Sequence, residues 1–400
     1  MQNLILFDGE SREHLLPFTF TRPVADLRVG ILTIREKWQQ RLNLTTSFYT
    51  EEYLSEKFPV NISDDNLMIN GSCLPDEQLI KKILALKINE ALVFDNVLIA
   101  VRLDKNSAKN YSYSSAMVSK WSMKNLTIAP SLVNNVWDIF KKNEEELNKD
   151  FLLLTKKRSS QPISDTNRCI NPENIFLESG VKMEHCILNA SKGPIYIGKD
   201  AEVMEGTMIR GPFALGERSE VKMGTKIYGG TTIGPNCKAG GEINNSVIYG
   251  NSNKAHDGYL GNSVIGEWCN LGADTNNSNL KNDYGNVKIW SYSKKKFEDT
   301  GLQFCGLFLG DHSKCGINTM FNTGTVVGVF ANIFGGGFPR NFIPSFQWGG
   351  SGGFEVYKTE KAFIVAYRVM ARRNVPFTET DRKILQYIFK QEIQEKKLSI

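Results

Sequence analysis

GGEINNSVIYGNSNKAHDGYLGNSVIGEWCNLGADTNNSNL, residues 240–280, sits inside a long count of six. Working backwards from it, aliphatic residues return at Ile197, Val203, Ile209, Leu215, Val221, Ile227, Ile233 and Ala239, each six positions after the last. Such a period fits neither a helix turn of about 3.6 residues nor a strand alternation of about 2. It fits a short strand plus a tight corner, repeated, which is a solenoid. Glycine follows several of these positions, as in Ile197-Gly198, Leu215-Gly216 and Ile233-Gly234, and is expected to tolerate the corner backbone. The count slips between Ala239 and Ile265, where Leu260-Gly261 stands five residues before Ile265-Gly266. The slip contains His256, one of only four histidines, and a repeat that falters around a histidine invites a functional reading.

Outside this stretch the chain is long for one core: 400 residues predict two or three domains. The net charge of +5, from 48 basic and 43 acidic residues, is too small and too dispersed for a nucleic-acid surface. Seven cysteines occur singly, with no CxxC pair, which fits a reducing compartment. The opening MQNLILFDGES lacks a basic flank, and no segment offers the roughly 18 apolar residues of a membrane span. A cytoplasmic protein without membrane or nucleic-acid partners is expected.

Residues 1–160 read as an α/β unit. Residues 3–7 form a buried-strand pattern ending in Asp8-Gly9, and 30–42 have helical spacing. Residues 66–71 give a second strand-to-loop junction, and 74–86 a helix whose first turn holds Pro75 and Asp76. A strand region at 91–101 and a helix over 130–151 follow, then a polar linker over 155–171. The solenoid occupies 161–345, with an inserted loop at 276–303 where the hexads vanish before Leu309, Cys315, Phe321, Val327 and Ile333 resume them. Long excursions from a regular prism are more often functional than decorative. Residues 346–400 complete a Gly- and aromatic-rich loop and add two helices, 359–374 and 379–397.

The hexads resemble the left-handed parallel β-helix acyltransferases, an exception to the right-handed crossover rule. Within that class SNKAHDGYLGNSVIGEWCNLGADTNNSN, residues 252–279, is similar to the acetyltransferase half of the bifunctional glucosamine-1-phosphate acetyltransferase / N-acetylglucosamine-1-phosphate uridyltransferase family. The order of domains agrees, because LPFTFTRPVADLRVG, residues 16–30, resembles the segment after the glycine-rich loop of sugar-nucleotide pyrophosphorylases. The resemblance implies a homotrimer with active sites between adjacent prisms, using acetyl-CoA or another acyl-CoA on an amino sugar, a sugar phosphate or a nucleotide sugar. It places His256 on the catalytic base and Tyr259 near the transferred acetyl group. Asn270 and Asn279 fall on asparagines lining the sugar site, and Arg210 resembles a phosphate-binding arginine. Ala273 matches a backbone contact to the CoA arm. Separately from the resemblance, Asp311 and His312 in Gly310-Asp311-His312-Ser313 are further cofactor candidates, His312 near the CoA thiol. The family's lysine twelve residues before the base is Asn244 here, and Arg210 lies about one coil further from His256 than the family pattern has it. Lys254 and Lys281 complete the expected substrate contacts.

The chemistry suits these residue types. Acyl transfer from a thioester to an amine needs a base for the ammonium proton and donors for the oxyanion. An imidazole of pKa about 6.5 serves the first, contributing typically 10²–10⁴ in rate, and corner amides with Tyr259 the second. The plain alternative is that His256 caps a corner and that His312 is a packing residue. A zinc site of the γ-carbonic anhydrase type needs about three protein ligands, and the chain has no His-x-x-x-x-His pair, so no metal site is expected in the prism.

In the first domain the pyrophosphorylase glycine loop is replaced by Asp8-Gly9-Glu10-Ser11-Arg12, the lysine after Pro23 by Val24, and the metal-binding aspartate after Asn70-Gly71 by Ser72. Gly9, Arg12, Thr21, Arg22 and Arg28 remain as nucleotide or phosphate contacts, with Mg²⁺ required if the domain is active. Three readings stay open: an acyltransferase, a sugar-1-phosphate nucleotidyltransferase whose β-helix only trimerises it, and a non-catalytic sugar-nucleotide-binding assembly protein.

Overall fold

A computed structural model describes residues 2–111 and 121–398. The chain forms two compact units. The first comprises Met1–Leu15, Thr21–Leu27 and Leu32–Asn135, and the second Leu16–Phe20, Arg28–Ile31 and Val136–Ile400.

In the first unit the strand Gln2–Phe7 lies between Thr46–Tyr49 and Asp65–Asn70, parallel to both. Its run is continuously apolar because both of its faces are buried, with Leu4 to Phe7 all at 1% exposure or less. The sheet continues through Val97–Asp104, antiparallel to Asp65–Asn70, then Glu90–Phe94 and Ser122–Asn125. The helix Ile34–Leu42 starts at a capping box in which Thr33 and Glu36 satisfy each other's backbone N–H. The next helix is Glu77–Leu84, capped by Asp76, whose carboxylate accepts from Gln78 N and Leu79 N at 2.9 Å. Pro75 therefore stands before the cap, not in the first turn.

In the second unit the helix expected over 130–151 is shorter and broken, Asp138–Lys141 then Asn143–Thr155. The long helix holds the segment 28–31 by its side chains. Asn143 Oδ1 accepts from Gly30 N at 2.7 Å, Asp150 Oδ2 from Ile31 N at 2.9 Å, and Asn143 Nδ2 donates to Gly230 O at 2.8 Å. Phe18 packs on Tyr249 and Phe308, with ring centroids 5.9 and 6.5 Å apart. Packing thus draws 16–20, 28–31 and 136–155 into the second unit, and the compact units do not coincide with the change of periodicity near residue 160.

The rest of the second unit is the solenoid, a left-handed parallel β-helix of three faces, so the fold class read from the hexads is the one observed. Along the first face Leu188, Ile209, Ile227, Ile243 and Leu260 stack inward in register. The second face stacks Leu177, Ile197, Leu215, Ile233, Ile248, Ile265, Leu309, Val327 and Ile343. The third stacks Met183, Val203, Val221, Ala239, Lys254, Leu271, Cys315 and Ile333. Each inward position is held by hydrophobic burial except one, Lys254, which is 1% exposed.

The glycines after the aliphatic positions serve a purpose other than corner conformation. A Cβ on Gly198 would meet Glu217 N at 2.7 Å, and one on Gly216 would meet Gly234 C at 2.5 Å, so these positions are closed by the next coil. The left-handed backbone falls two residues later, on Asp200, Arg218, Asn236, Trp268, His312 and Phe330, with φ between 53° and 62°.

The excursion folds as an antiparallel hairpin, Lys288–Ser291 with Lys296–Asp299. Trp290 stacks on Phe342 at 4.4 Å. The strands Gln347–Gly350 and Gly353–Val356 extend the third face, followed by helices Thr359–Ala371 and Glu379–Leu398.

Candidate functional site

The slip in the count is a corner cut short. From the third face to the first the inward residues usually step by six, as in Val203 to Ile209 and Val221 to Ile227, but Ala239 to Ile243 is only four. Gly240 and Gly241 make that turn, and both must be glycine. A Cβ on Gly240 would meet Ala255 O at 2.6 Å, and one on Gly241, at φ +79°, would meet Gly258 O at 2.6 Å. The next corner, residues 255–258, has its ordinary length and lies directly over the shortened one. It carries His256, whose side chain is exposed, as is Asp257.

A groove of about 680 Å³ runs along these stacked corners. His256, Asp257, Ala273 and Asp274 line one end, and Lys222, Met223 and Met204 the other. The expected base and the expected CoA-arm contact therefore share one groove. Met204, Lys222 and Met223 belong to it without any motif announcing them; only their place in the count, one and two coils below Gly240, could have located them.

Tyr259 projects from the first face beside the corner. Its hydroxyl accepts from Asn279 Nδ2 at 3.0 Å, and the same amide nitrogen donates to Asn262 Oδ1 at 2.7 Å. Gly261 lies under the Tyr259 ring, since a Cβ there would run into the hydroxyl. Tyr259, Asn262 and Asn279 thus form one polar group, and Asn244 adjoins it through its backbone, pairing with Gly261 in the strand register and accepting from Asn262 N at 3.0 Å. Beyond them the backbone ladder is carried by side chains: Asn276 Oδ1 accepts from Tyr259 N at 2.8 Å and Asn277 Oδ1 from Gly261 N at 2.9 Å. The run Thr275-Asn276-Asn277 was the available signal for these two asparagines.

Other expected residues stand elsewhere. Arg210 is on the first face but three strands from Tyr259, on the order of 14 Å at the usual strand spacing. Asn270 points outward from the third face, where its Oδ1 accepts from Asn253 Nδ2 at 3.4 Å. Lys281 lies in the excursion and pairs with Asp283 at 3.1 Å. Asp311 and His312 occupy the corner between the second and third faces, because they follow Leu309 and not a third-face residue. There Asp311 Oδ1 accepts from Glu267 N at 2.8 Å, and the His312 ring is stacked between Trp268 and Phe330 at 6.2 and 4.7 Å.

Lys254, expected as a substrate contact, points into the prism. Its ammonium donates to the carbonyls of His256 (2.5 Å), Asp257 (3.1 Å) and Gly240 (3.2 Å). Burial pulls its pKa down to about 8, against the opposing influence of Asp257, Cys315 and Asp274.

The nucleotide set is divided between the units. In the first, Asp8 is buried at the end of the central strand and accepts from Val24 N (2.7 Å), Thr50 Oγ1 (2.6 Å) and Arg12 Nη1 (3.0 Å). Arg12 also donates to Tyr53 and to the carbonyl of Arg22, and Gly9 abuts the Asn70 side chain. Burial raises the Asp8 carboxyl, with Arg12, Thr50 and Val24 opposing the rise. The groups that would receive a phosphate thus surround an internal carboxylate. Thr21 precedes Arg22 in the same unit, whereas Arg28 belongs to the second unit and donates to Ile31 O. Ser72, in place of the family's aspartate, donates to Asn70 Oδ1 at 2.9 Å.

Known proteins bear on both halves. Residues 4–159 match the family described as sugar nucleotidyl transferase. The bifunctional sugar-1-phosphate nucleotidylyltransferase/acetyltransferase of Sulfurisphaera tokodaii is 40% identical over 147 residues, 36% of either chain. The bifunctional protein GlmU of Methanocaldococcus jannaschii is 37% identical over 87 residues, 22% of this chain and 21% of that one. The chain thus spans roughly a third or less of the length of the curated relatives it matches. Among solved structures, an Arabidopsis UDP-N-acetylglucosamine acyltransferase aligns over 56% of this chain and 80% of that one, at 18% identity and a TM-score of 0.25. The β-helix itself rests on the strand ladders described above, not on that likeness.

Proposed function

We propose that this chain is an acyl-CoA-dependent N-acyltransferase acting on an amino sugar, its phosphate or its nucleotide, with His256 as the general base. The observation that carries the reading is the placement of an exposed imidazole over a glycine-shortened corner, in a groove it shares with Ala273. In the reaction the acceptor amine attacks the thioester carbonyl carbon, His256 takes the ammonium proton, and the CoA thiolate leaves and is protonated to the thiol. Tyr259, held by Asn279, and the corner amides face the developing oxyanion. Asn244, Asn262 and Asn279 suit sugar hydroxyls, and Lys222 suits a phosphate. The partial relatives named as acetyltransferases support the same class of reaction. A homotrimer in the cytoplasm, with acetyl-CoA as the first donor to try, is part of this proposal; no helix among the described residues is long and apolar enough to cross a membrane.

A second reading, sugar-1-phosphate nucleotidyl transfer with Mg²⁺ arriving with the triphosphate, is favoured by the family match over 4–159. The Asp8–Arg12 pair weighs against it, because it engages the loop that would cradle phosphate.

Thermal unfolding with ligands separates the two, since a ligand that binds only the native state raises its stability. Stabilisation by acetyl-CoA, with thiol release on adding glucosamine 1-phosphate, supports acyl transfer. Stabilisation by UTP or dTTP with Mg²⁺ alone points to nucleotidyl transfer, and no response to either sinks both.

A further inference from the structure

The interior of the prism holds one charged side chain in its aliphatic stacks, and it lies under the candidate base. On the third face Lys254 pairs in register with Ala239 below it and is followed one coil later by Leu271, so its side chain takes a core position. The shortened corner at Gly240-Gly241 brings the carbonyls of two successive coils together: Gly240 from below, His256 and Asp257 from above. In ordinary coils corner carbonyls are met by backbone amides, as when Gly224 N donates to Glu205 O at 3.0 Å, or by a threonine hydroxyl at the end of the corner, as when Thr275 Oγ1 donates to Gly272 O at 2.7 Å and Thr319 Oγ1 to Gly316 O at 2.9 Å; neither the shortened corner nor the one over it has such a threonine. An aliphatic residue at 254 would leave three converging carbonyls without a donor, and an ammonium supplies three. The cost of burying a charge here is met by hydrogen bonds to the backbone of the catalytic corner itself.

We propose that Lys254 is a positioning residue for His256: by donating to the carbonyls of Gly240, His256 and Asp257, it fixes the overhanging corner so that the imidazole stands in the groove. The inference rests on the acyl-transfer reading only for what the corner does; the positioning stands on the geometry. Asp257 and Asp274, with the Cys315 thiol, are the other titratable groups that act on this ammonium.

The test is hydrogen–deuterium exchange of the full-length chain, comparing Lys254→Met with wild type. Methionine fills the core without donors, so the fold is expected to persist. Amides of residues 255–261 should exchange at least about tenfold faster while coils at 221–227 and 309–315 stay as protected as in wild type. Where acyl transfer is measurable, kcat should fall about tenfold or more with the KM for acyl-CoA within about twofold of wild type, the signature of a misplaced base. Lys254→Gln, which keeps two donors and drops the charge, should lie between the two, and it decides the matter should the methionine variant not fold. Wild-type exchange at 255–261, or protection lost evenly along the prism, overturns the proposal. Exchange needs neither donor nor acceptor, so a wild-type chain that transfers no acyl group would end the acyltransferase reading while the exchange result still judges Lys254.

Discussion

The backbone N–H of Tyr259 donates to the side chain of Asn276, at 2.8 Å, where the preceding strands of the same face donate to backbone carbonyls: Glu242 to Gly258, Lys226 to Gly241, Met208 to Thr225. Beside it Asn277, 4% exposed, accepts from Gly261 N and returns a bond to Gly261 O at 3.1 Å. Two asparagines thus carry the ladder across the point where the excursion leaves the prism. Asn277→Leu would strand the buried N–H of Gly261, whose carbonyl keeps the Ser263 hydroxyl at 2.7 Å, and should cost about 1–3 kcal/mol, read from urea unfolding. A loss below about 0.5 kcal/mol would show that the first face is not held this way.

His256 is exposed and packs against no core. His256→Asn should therefore leave the unfolding temperature within about a degree while lowering thiol release from acetyl-CoA by about 10²–10⁴. Retained turnover would remove His256 from the chemistry.

Asp8 and Arg12 are nearly buried, their side chains 7% and 10% exposed, and 3.0 Å apart. Arg12→Met leaves an uncompensated carboxylate and should cost about 3 kcal/mol near neutral pH. With the arginine gone, the Asp8 carboxyl, already raised by burial, rises further. A folded-state pKa above the unfolded one means that the native state binds the extra proton, so stability lost at neutral pH should return as the pH falls through the carboxyl's range. Chemical denaturation of the variant at several pH values checks the sign, and a deficit that grows on acidification contradicts it.

For Lys254 the sign is opposite. Its folded-state pKa of about 8 lies below the ordinary 10.5, so the unfolded chain binds more protons between those values and stability rises with pH across that window. Relative to Lys254→Met, wild type should gain on the order of 3 kcal/mol at most between pH 8 and 10.5. A flat difference would place the ammonium in water.

Much of this was legible in the order of residues. A six-residue period can bury an aliphatic side chain only as a short strand between corners, so the count from Ile197 to Ala239 determined a solenoid, and the break before His256 marked the shortened corner. The first strand, ending at Asp8-Gly9, was written as an uninterrupted apolar run because both its faces are buried.

Tertiary structure decided the rest, because coil-to-coil distance is not a local property. The count could not tell a glycine that turns the chain from one that the next coil crowds, as at Gly198 and Gly216. Nor could it show that Lys254 points inward: a lysine reads as surface until three carbonyls of two coils converge on its ammonium. Asp311 and His312 were read as cofactor contacts together with Ala273, yet a solenoid places residues by their phase around the axis, and theirs sets them at another corner. The segment 16–30, read as the one that follows a pyrophosphorylase's glycine-rich loop, is divided by the burial of Phe18 against Tyr249 and Phe308 and by the bonds from Gly30 and Ile31 to Asn143 and Asp150, partners more than a hundred residues away in sequence.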